Sequence, residues 1–486
     1  MTDDNGNVLT EIAPGSVKRV HLVGVAGTGM GAFAGMLKAA GYVVTGSDEN
    51  VYPPMSDMLR DWGIEVYTPY SPDNLDKAKP DLVIIGNVIR RVNPEATAVR
   101  ERKIPQMSFP AAFGSLILSG KHSVVIVGTH GKTTTSALMA HVLVEAGLDP
   151  TFLVGGVTAN YGGNFRLGKG EHVVVEGDEY DTAYFDKGPK FLHYRAKTAL
   201  LTSIEFDHAD IYNDMAHYES AFVKFCETIP PDGFLGVSAS YPRAVEIARE
   251  HCTGRVVTYA VNGKADYRAD NEEFSAEGAR FNIIGAKAKK KQLQLPMSGY
   301  HNLENAAGVY AAAISLGLTH DQIARGFATF KGVKRRQEVR GEIGGVLVID
   351  DFAHHPTAVR ETIEGIRQRY PERRLWAVFE PRSNTSRRNI HQAEYAKAFN
   401  AADLATLRVP EPHDKVPADQ QLDINKVVAE LNAIGVQADA SPDVAELVRR
   451  VASGAEPNDL VLVMSNGSFG GFIPSLLDAL RKKFGA

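Results

Sequence analysis

The feature that most constrains the fold is a short apolar strand that runs directly into a glycine-rich turn and then into a helix. Residues 123–127 (SVVIV) are followed by the sequence GTHGKTTT at residues 128–135. A strand, a tight turn and a helix in this order direct backbone N–H groups and the positive end of the helix dipole at one point. A polyphosphate fits that arrangement. The sequence therefore predicts a nucleotide-binding unit of α/β type around this turn.

The side chains of the turn match the chemistry of ATP with magnesium. We expect Lys132 to reach the β- and γ-phosphates and the Thr133 hydroxyl to bind Mg²⁺. Further nucleotide contacts are expected from the rest of the turn, at Gly128, Thr129, His130, Gly131 and Thr134. The usual phosphate loop, GxxxxGK[ST], has a glycine five positions before its second glycine, whereas this chain has Ile126 there. The loop is therefore shorter than usual, and a glycine turn with a chance lysine is the alternative interpretation.

Short apolar runs alternate with amphipathic stretches along the whole chain, which is typical of mostly parallel sheets flanked by helices. A length of 486 residues favours two or three domains. We predict a three-domain α/β protein with a Rossmann-like first domain, a P-loop ATPase-like central domain and a Rossmann-like third domain. Their expected bounds are residues 1–119, 120–336 and 337–486. Strands are predicted at residues 20–23, 42–45, 82–85, 123–127, 173–175, 199–202, 346–349, 375–378 and 460–463, and helices at 31–40, 302–316 and 474–484.

Composition excludes several classes of protein. A formal net charge of −5 leaves no basic surplus to neutralise nucleic-acid phosphates. No apolar run approaches the roughly 20 residues that span a bilayer. The two cysteines cannot form a disulfide framework, and the first residues do not resemble a signal peptide. We expect a cytoplasmic protein that binds neither nucleic acid nor membrane.

Acidic and histidine side chains follow two predicted strands of the central segment. Glu176 comes directly after residues 173–175, and His208 follows the strand at residues 199–202. Open α/β sheets place ligands at the carboxyl ends of their strands, and Mg²⁺ prefers oxygen ligands. Glu176 is therefore a candidate magnesium ligand, and His208 could bind a second metal ion or orient a carboxylate. A solvated acidic loop and a purely structural histidine are the alternatives.

The third segment offers groups that could complete a nucleotide site. Arg335 and Arg336 lie at the second predicted joint, where a basic side chain could move onto the γ-phosphate; a solvated linker is the alternative. Asp351 and His354 follow another strand and could hold ribose or phosphate.

The sequence HNLENAA, which begins at residue 301, could open a helix beside the base of the nucleotide. Asn302 is the expected N-cap of that helix, because asparagine satisfies free amide groups there. His301 and Asn305 could then meet the adenine edge.

A second glycine-rich turn lies near the amino terminus. It contains Gly24, Gly27, Thr28, Gly29 and Met30, and Asp48 ends the next strand about 20 residues later. The spacing is GxxGxG rather than the dinucleotide pattern GxGxxG. This turn favours binding of a nucleotide diphosphate without specifying which one.

Taken together, the motifs resemble those of the Mur ligase family, the ATP-dependent amide ligases of peptidoglycan metabolism. GTHGKTTT, EGDEYD, IEFDHAD, HNLENAA and DDFAHHPT occur in the family's order and cover essentially the whole chain. The resemblance implies ATP and Mg²⁺ as cofactors, and a reaction in which a carboxylate is activated as an acyl phosphate and joined to an amine.

The resemblance also implies roles for individual residues. Catalysis is assigned to Lys132, Glu176, His208 and Arg336, and metal binding to Thr133, Glu176 and His208. Adenine or phosphate contacts are assigned to His301, Asn302, Asn305, Arg336, Asp351 and His354. Contacts to a UDP-linked muramyl substrate are assigned to Gly24, Gly27, Thr28, Gly29, Met30, Asp48, Asn164, Arg166 and Arg382.

Within the family, residues 176–186, 191–194 and 379–385 are similar to those of members that act in peptidoglycan recycling. Those members join UDP-N-acetylmuramate to the tripeptide L-alanyl-γ-D-glutamyl-meso-diaminopimelate. Members that add L-alanine alone are the nearer alternative, although they usually have a histidine where this chain has Arg382. We expect small-molecule partners only, and a monomer or a weak homo-oligomer.

Two other classes of protein would use part of the pattern. A nicotinamide-dependent oxidoreductase would use the first glycine turn but leaves the phosphate loop unexplained, and absorbance changes of the cofactor would reveal it. A nucleotide-dependent regulatory protein would keep Lys132 but would not release ADP in response to a substrate.

Overall fold

The computed structural model describes residues 7–13, 15–53, 55–288, 291–411 and 416–485. Three main sheets, mostly parallel and flanked by helices, confirm the predicted α/β class. The chain divides into two compact units. The first comprises Met1–Ile204, Ala216–Tyr259 and Gly308–Gly326, and the second comprises Glu205–Met215, Ala260–Ala307 and Phe327–Ala486.

The amino-terminal sheet is parallel throughout. Its strands are β1 (Arg19–Val23), β2 (Val43–Ser47), β3 (Glu65–Tyr67), β4 (Leu82–Ile85) and β5 (Gln106–Ser108). The accompanying helices are α1 (Thr28–Ala39), α2 (Met55–Asp61), α3 (Pro72–Ala78), α4 (Pro94–Glu101) and α5 (Phe109–Leu116). The strand order is β3-β2-β1-β4-β5. The chain places β2 and β3 on one side of β1 and then returns to place β4 and β5 on the other side, so the order of the strands reverses between β1 and β4. Ligands of such sheets bind at the carboxyl ends of the strands beside the reversal.

The sequence explains these elements locally. All four residues of β4 are apolar and buried, as expected for a parallel strand covered on both faces. Helix α3 begins after Ser71, whose hydroxyl accepts a hydrogen bond from the Asp73 amide at 3.2 Å. Asn93 caps α4 in the same way, and each helix has proline in its first turn, where no amide donor is lost.

The central segment carries the second sheet. Its elements are β6 (His122–Val127), α6 (Lys132–Glu145), β7 (Thr151–Leu153), β8 (Phe165–Arg166), β9 (His172–Glu176), β10 (Asp181–Ala183), β11 (Asp186–Pro189), β12 (Thr198–Leu201), α7 (Met215–Thr228), β13 (Phe234–Ser238), α8 (Pro242–His251) and β14 (Arg255–Val261). Within this segment the strand order is β14-β13-β12-β6-β9-β7-β8, in which only β8 is antiparallel to its neighbour, and β10 and β11 form a separate hairpin.

The register of this sheet brings three chain segments to one edge. Glu176 of β9 lies opposite Ile126 of β6, and Leu201 of β12 lies opposite Val127. The residues that follow β6, β9 and β12 therefore leave the sheet side by side, and the central strand of the three leads into the glycine turn.

An antiparallel meander and two helices come next along the chain. They are β15 (Tyr267–Ser275), β16 (Gly278–Gly285), β17 (Leu293–Leu295), α9 (Tyr300–Ser315) and α10 (His320–Thr329).

The third sheet contains β18 (Glu338–Ile343), β19 (Val346–Asp351), β20 (Arg374–Phe379), β21 (Leu404–Arg408), β22 (Gln437–Ser441) and β23 (Asp459–Met464). Its order is β18-β19-β23-β20-β21-β22, and only β18 is antiparallel. The helices are α11 (Pro356–Arg369), α12 (Gln392–Ala398), α13 (Ile424–Ala433), α14 (Val444–Gly454) and α15 (Phe472–Phe484). Leu347 and Ile349 enter one hydrophobic core while Val346 and Val348 enter another, so both faces of the sheet are covered.

Each strand predicted from the sequence is present, with bounds shifted by no more than about two residues. The helix predicted at residues 31–40 begins earlier, at Thr28. Asp48 lies one residue beyond β2 rather than at its end. Within the described residues, no helix is long and apolar enough to cross a membrane.

Candidate active site

The glycine turn after β6 is held by close backbone contacts. Gly128 adopts φ +132°, and a Cβ added to it would come within 2.2 Å of the Thr202 hydroxyl. The His130 amide donates to Ser203 Oγ at 2.8 Å, and the Thr129 amide donates to the Ser203 carbonyl at 3.1 Å. The segment after β12 therefore fixes the turn, and a side chain at residue 128 would not fit.

The turn ends at Gly131, which adopts φ +76° and precedes α6. Helix α6 has 14 residues, and the amide groups of its first turn have no partners within the helix. Together with the helix dipole they form an anion site. Thr133 and Thr134 are buried in this first turn. The geometry is the one that the sequence predicts for a phosphate loop.

Lys132 forms a buried ion pair with Glu179. The distance from Lys132 Nζ to Glu179 Oε2 is 3.0 Å, and the two side chains are 11% and 0% exposed. The same ammonium donates to the Gly128 carbonyl at 2.6 Å. Tyr218 of α7 contacts both sides of this arrangement, since its hydroxyl donates to Glu179 Oε1 at 3.3 Å and lies 2.9 Å from Thr129 Oγ1.

Thr133 and Glu176 are brought together beside this ion pair. The Thr133 hydroxyl donates to Glu176 Oε1 at 2.8 Å, and the Gly155 amide donates to Glu176 Oε2 at 2.6 Å. A hydroxyl and a carboxylate at the start of a phosphate-binding helix are the hard oxygen donors that Mg²⁺ requires. The donor set therefore fits this ion.

The local charges also fit a bound Mg²⁺ ion. Burial and the charge of Asp178 raise the pKa of Glu176, although Lys132 opposes the shift. Burial disfavours the ammonium of Lys132, but Glu179, Asp178 and Glu176 outweigh that effect and raise its pKa. Three carboxylates thus act on Lys132, and Asp178 also pairs with Lys190. A divalent cation would balance the remaining negative charge.

The first glycine turn borders a cavity of about 320 Å³, called here the nucleotide cavity. All six residues predicted for this region line it: Gly24, Gly27, Thr28, Gly29, Met30 and Asp48. Asp48 Oδ2 accepts a hydrogen bond from the Ala26 amide at 2.9 Å, which ties the turn to the end of β2. Further lining residues come from other elements of the same unit, among them Asn50, Tyr52, Asn87, Phe109, Thr182 and Lys190.

Asn164 and Arg166 lie at the far edge of the central sheet. Arg166 Nη2 donates to Asp149 Oδ1 at 2.5 Å, so its charge is paired. Asn164 is buried, and among the described residues its Oδ1 has no hydrogen-bond partner. The structure supplies a polar group at residue 164 but does not place either side chain on the nucleotide cavity.

The second unit contains a carboxylate surrounded by histidines. Asp207 is buried, with Oδ2 3.7 Å from His208 Nε2 and 4.0 Å from His354 Nε2. Burial alone would raise the pKa of Asp207, but the positive charges of His208 and His354 hold it well below its usual range. His208 adopts φ +56°, and its amide donates to Asp207 Oδ1 at 2.7 Å. Asp207 therefore lies within ion-pair distance of the predicted His208 and His354.

Asp351 ends β19 and organises the turn that carries the two arginines. Its Oδ2 accepts the Gln337 amide and its Oδ1 accepts the Ala353 amide, both at 2.8 Å. Burial raises the pKa of Asp351, although Arg336 opposes this. The guanidinium of Arg336 lies 4.7 Å from the ring centre of Phe352.

Arg335 and Arg382 both meet the loop after β23. Arg335 Nη2 donates to the Ser465 carbonyl at 2.5 Å and to the Gly467 carbonyl at 2.7 Å. Arg382 is exposed and packs so closely on Gly467 that an added Cβ would overlap its guanidinium.

The prediction that Asn302 is an N-cap is wrong. Helix α9 begins at Tyr300, because Gly299 takes φ +100° and its carbonyl accepts the Asn302 amide at 3.0 Å. Asn302 therefore lies inside the first turn, where its side chain donates back to the Ser298 carbonyl at 2.8 Å. His301 and Asn305 lie on the same helix, and burial lowers the pKa of His301 to about 4.

Sequence reasoning missed three residues around the phosphate loop, Glu179, Tyr218 and Ser203, and it missed Asp207 in the second unit. Glu179 and Asp207 lie within the sequences EGDEYD and IEFDHAD, where other acidic residues stand beside them and no local pattern separates them. Ser203 follows β12 directly, so the rule that strand ends carry ligands could have indicated it.

Three family models match successive parts of the chain. The model described as the Mur ligase family, catalytic domain, matches residues 19–120. The Mur ligase middle domain matches residues 126–313, and the Mur ligase, glutamate ligase domain matches residues 335–467.

Curated relatives extend over nearly the whole chain. A UDP-N-acetylmuramate–L-alanyl-γ-D-glutamyl-meso-2,6-diaminoheptandioate ligase from Haemophilus influenzae is 37% identical over 473 residues, covering 96% of this chain and all of the relative. A protein of the same name from Escherichia coli is 37% identical over 467 residues, covering 96% of this chain and 99% of the relative. A UDP-N-acetylmuramate–L-alanine ligase from an Anaeromyxobacter species is 34% identical over 468 residues, covering 95% and 98%.

Solved structures are also similar to this chain over nearly its whole length. A murein peptide ligase from Psychrobacter arcticus has 32% identity and a TM-score of 0.69, covering 95% of this chain and 98% of its own. A UDP-N-acetylmuramate–alanine ligase from Thermotoga maritima has 26% identity and a TM-score of 0.77, covering 96% and 100%. The chain therefore belongs to the Mur ligase family, whose members are ATP-dependent ligases that form amide bonds.

Proposed function

We propose that the protein joins UDP-N-acetylmuramate to the tripeptide L-alanyl-γ-D-glutamyl-meso-diaminopimelate, with release of ADP and phosphate. The observation that carries the proposal is the arrangement of Lys132, Thr133 and Glu176 at the start of α6. The relatives named for this tripeptide-type reaction support the choice of substrate, at 37% identity over 96% of the chain.

Each residue at the phosphate loop has a distinct task in this reaction. The backbone amides of the turn would bind the β- and γ-phosphates of ATP, and Lys132 would neutralise charge that spreads onto the transferring phosphoryl group. Mg²⁺, held by Thr133 and Glu176, would add further charge neutralisation when bound. Glu179 keeps the ammonium of Lys132 charged and in place.

The chemistry follows from these groups. A carboxylate oxygen of the muramyl group attacks the γ-phosphorus, and ADP leaves with the electron pair of the broken P–O bond. The amine of the tripeptide then attacks the acyl carbon, phosphate leaves, and the amine loses a proton. The products are an amide, ADP and phosphate.

The nucleotide cavity is the proposed site of the UDP moiety. Its glycine turn lies at the start of α1, beside the reversal of strand order between β1 and β4. Residue 24 favours glycine, because it adopts φ +86° and an added side chain would meet Ile89 at 3.2 Å. The amino terminus of α1, directly after the turn, suits a diphosphate.

The remaining assignments stay predictions from the family resemblance. They concern metal binding by His208, adenine contacts by His301, Asn302 and Asn305, nucleotide contacts by Arg336, Asp351 and His354, and substrate contacts by Asn164, Arg166 and Arg382. We also propose domain bounds of residues 1–119, 120–336 and 337–486, which the matched family ranges support. A cytoplasmic location and a monomeric or weakly homo-oligomeric state also remain proposals.

The second candidate is addition of L-alanine alone, because relatives with that name are 34% identical. A nicotinamide-dependent oxidoreductase is not supported, since all three matching family models are ligase models.

The substrate assignment is tested by measuring the release of ADP with UDP-N-acetylmuramate plus either the tripeptide or L-alanine. We expect the tripeptide to be preferred. A preference for L-alanine would overturn the substrate assignment but leave the ligase reaction standing.

A further inference from the structure

The nucleotide cavity has a lysine in its wall that the phosphate loop and the glycine turn do not account for. Lys190 lines the cavity together with Thr182, and neither residue belongs to the amino-terminal sheet. Thr182 lies on β10, and Lys190 opens a short 3-10 turn, Lys190–His193, directly after β11. The hairpin β10–β11 therefore contributes one wall of the cavity.

Lys190 also belongs to the carboxylate cluster beside the phosphate loop. Its Nζ lies 2.9 Å from Asp178 Oδ2, and the two side chains are 16% and 27% exposed. Asp178 follows the end of β9 by two residues, and its negative charge acts on both Glu176 and Lys132. One ammonium group thus joins the cavity wall to the acidic strand end.

The turn that carries Lys190 is anchored from both sides. Thr182 Oγ1 donates to the Gly188 carbonyl at 2.8 Å, which closes the hairpin. Asp186 accepts from Ser108 Oγ at 2.7 Å and lies 3.0 Å from His193 Nε2. A lysine on such a fixed support is positioned before any ligand arrives.

We propose that Lys190 binds the carboxylate of the nucleotide-sugar substrate and holds it on the side of the cavity where Lys190 also pairs with Asp178. This inference rests on the proposed function and names a contact within the same site. The amide groups of the glycine turn at the start of α1 would bind the diphosphate, so the diphosphate does not require Lys190. The carboxylate is the group that must reach the γ-phosphorus, and a lysine already paired with one carboxylate has further N–H groups to donate to a second.

Direct binding of two nucleotide sugars tests the contact. UDP-N-acetylmuramate carries the carboxylate, whereas UDP-N-acetylglucosamine has the same diphosphate and lacks it. Titration calorimetry without ATP would compare wild type, Lys190→Met and Lys190→Arg. Lys187→Met is the matched control, because Lys187 lies on the same hairpin, pairs with Asp181 and is 63% exposed, and is not among the residues that line the cavity.

We expect Lys190→Met to bind UDP-N-acetylmuramate roughly 10- to 100-fold more weakly, as for loss of a charged hydrogen bond. Its affinity for UDP-N-acetylglucosamine should stay within about twofold of wild type, which also shows that the variant is folded. Lys190→Arg should recover most of the affinity, and Lys187→Met should match wild type.

Three results would overturn the proposal: no loss in Lys190→Met, an equal loss for both ligands, or a wild type that does not prefer the muramyl ligand. An equal loss would place the lysine at the diphosphate instead. The outcome is separable from the proposed function. A protein that shows the selective loss but never releases ADP would retain this contact and lose the ligase assignment.

Discussion

Lys132 and Glu179 form an ion pair in which the carboxylate is fully buried and the Nζ–Oε2 distance is 3.0 Å. The lysine that follows the glycine turn is thus held by an acidic residue from the segment after β9. The same ammonium donates to Gly128 in the turn. The pair couples the shape of the phosphate loop to the strand end that carries Glu176.

Replacing the lysine tests its role in turnover. Lys132→Met should lower kcat by roughly 100- to 1,000-fold, as for the loss of one preorganised donor at a developing charge. ADP release under saturating substrates is the measurement. Lys121→Met is the control, since Lys121 lies just before β6 and its ammonium donates to the Gly170 carbonyl at 2.8 Å in an exposed hydrogen bond. Near-normal turnover in Lys132→Met would contradict the assignment.

Replacing the carboxylate tests the coupling. Glu179→Gln leaves the buried ammonium without its main partner, which typically costs roughly 3–5 kcal/mol of unfolding free energy. Urea unfolding gives the value. The double variant Lys132→Met/Glu179→Gln should recover most of the loss, because it removes the uncompensated charge. If the double variant were as unstable as the sum of both single variants, the ion pair would not be the cause.

Thr133 offers a test of the magnesium site. Thr133→Val removes the hydroxyl and keeps the shape of the side chain, so the Mg²⁺ concentration for half-maximal activity should rise about tenfold or more. Thr133→Ser should restore the wild-type requirement. An unchanged magnesium dependence in the valine variant would show that this hydroxyl does not contact the ion.

His301 predicts a specific dependence of stability on pH. Burial lowers its pKa to about 4, below the ordinary value. The folded protein therefore binds this proton more weakly than the unfolded chain, so stability is lost as pH falls from about 6.5 towards 4. Between pH 7 and pH 5 the loss from this one group is about 2 kcal/mol. His301→Gln should lose correspondingly less over the same interval in urea unfolding, and identical losses in both proteins would contradict the account.

The phosphate loop was predictable because its requirements are local. Gly128 and Gly131 need backbone conformations that favour glycine, and the helix that follows begins at Lys132 as expected. The five predicted residues of the first glycine turn and Asp48 also line one cavity, because the turn follows β1 and Asp48 follows the neighbouring strand β2, next to the reversal of strand order. Such features depend on a few neighbouring residues.

Other features depend on how distant segments meet. Glu176, Asp178 and Glu179 follow one another closely, and only the irregular chain after β9 decides that Glu179 turns towards Lys132. Tyr218 reaches the same carboxylate from α7, which no local pattern indicates. Asn302 is not a cap, because the positive φ of Gly299 lets the helix start at Tyr300, two residues before Asn302.

The most direct test of the account follows the oxygen atoms of the muramyl carboxylate. UDP-N-acetylmuramate labelled with ¹⁸O in both carboxylate oxygens would be turned over with ATP and the tripeptide, and the released phosphate analysed by mass spectrometry. Activation as an acyl phosphate predicts one ¹⁸O in each phosphate and one in the new amide carbonyl. Unlabelled phosphate would contradict the proposed attack of the carboxylate on ATP held at Lys132.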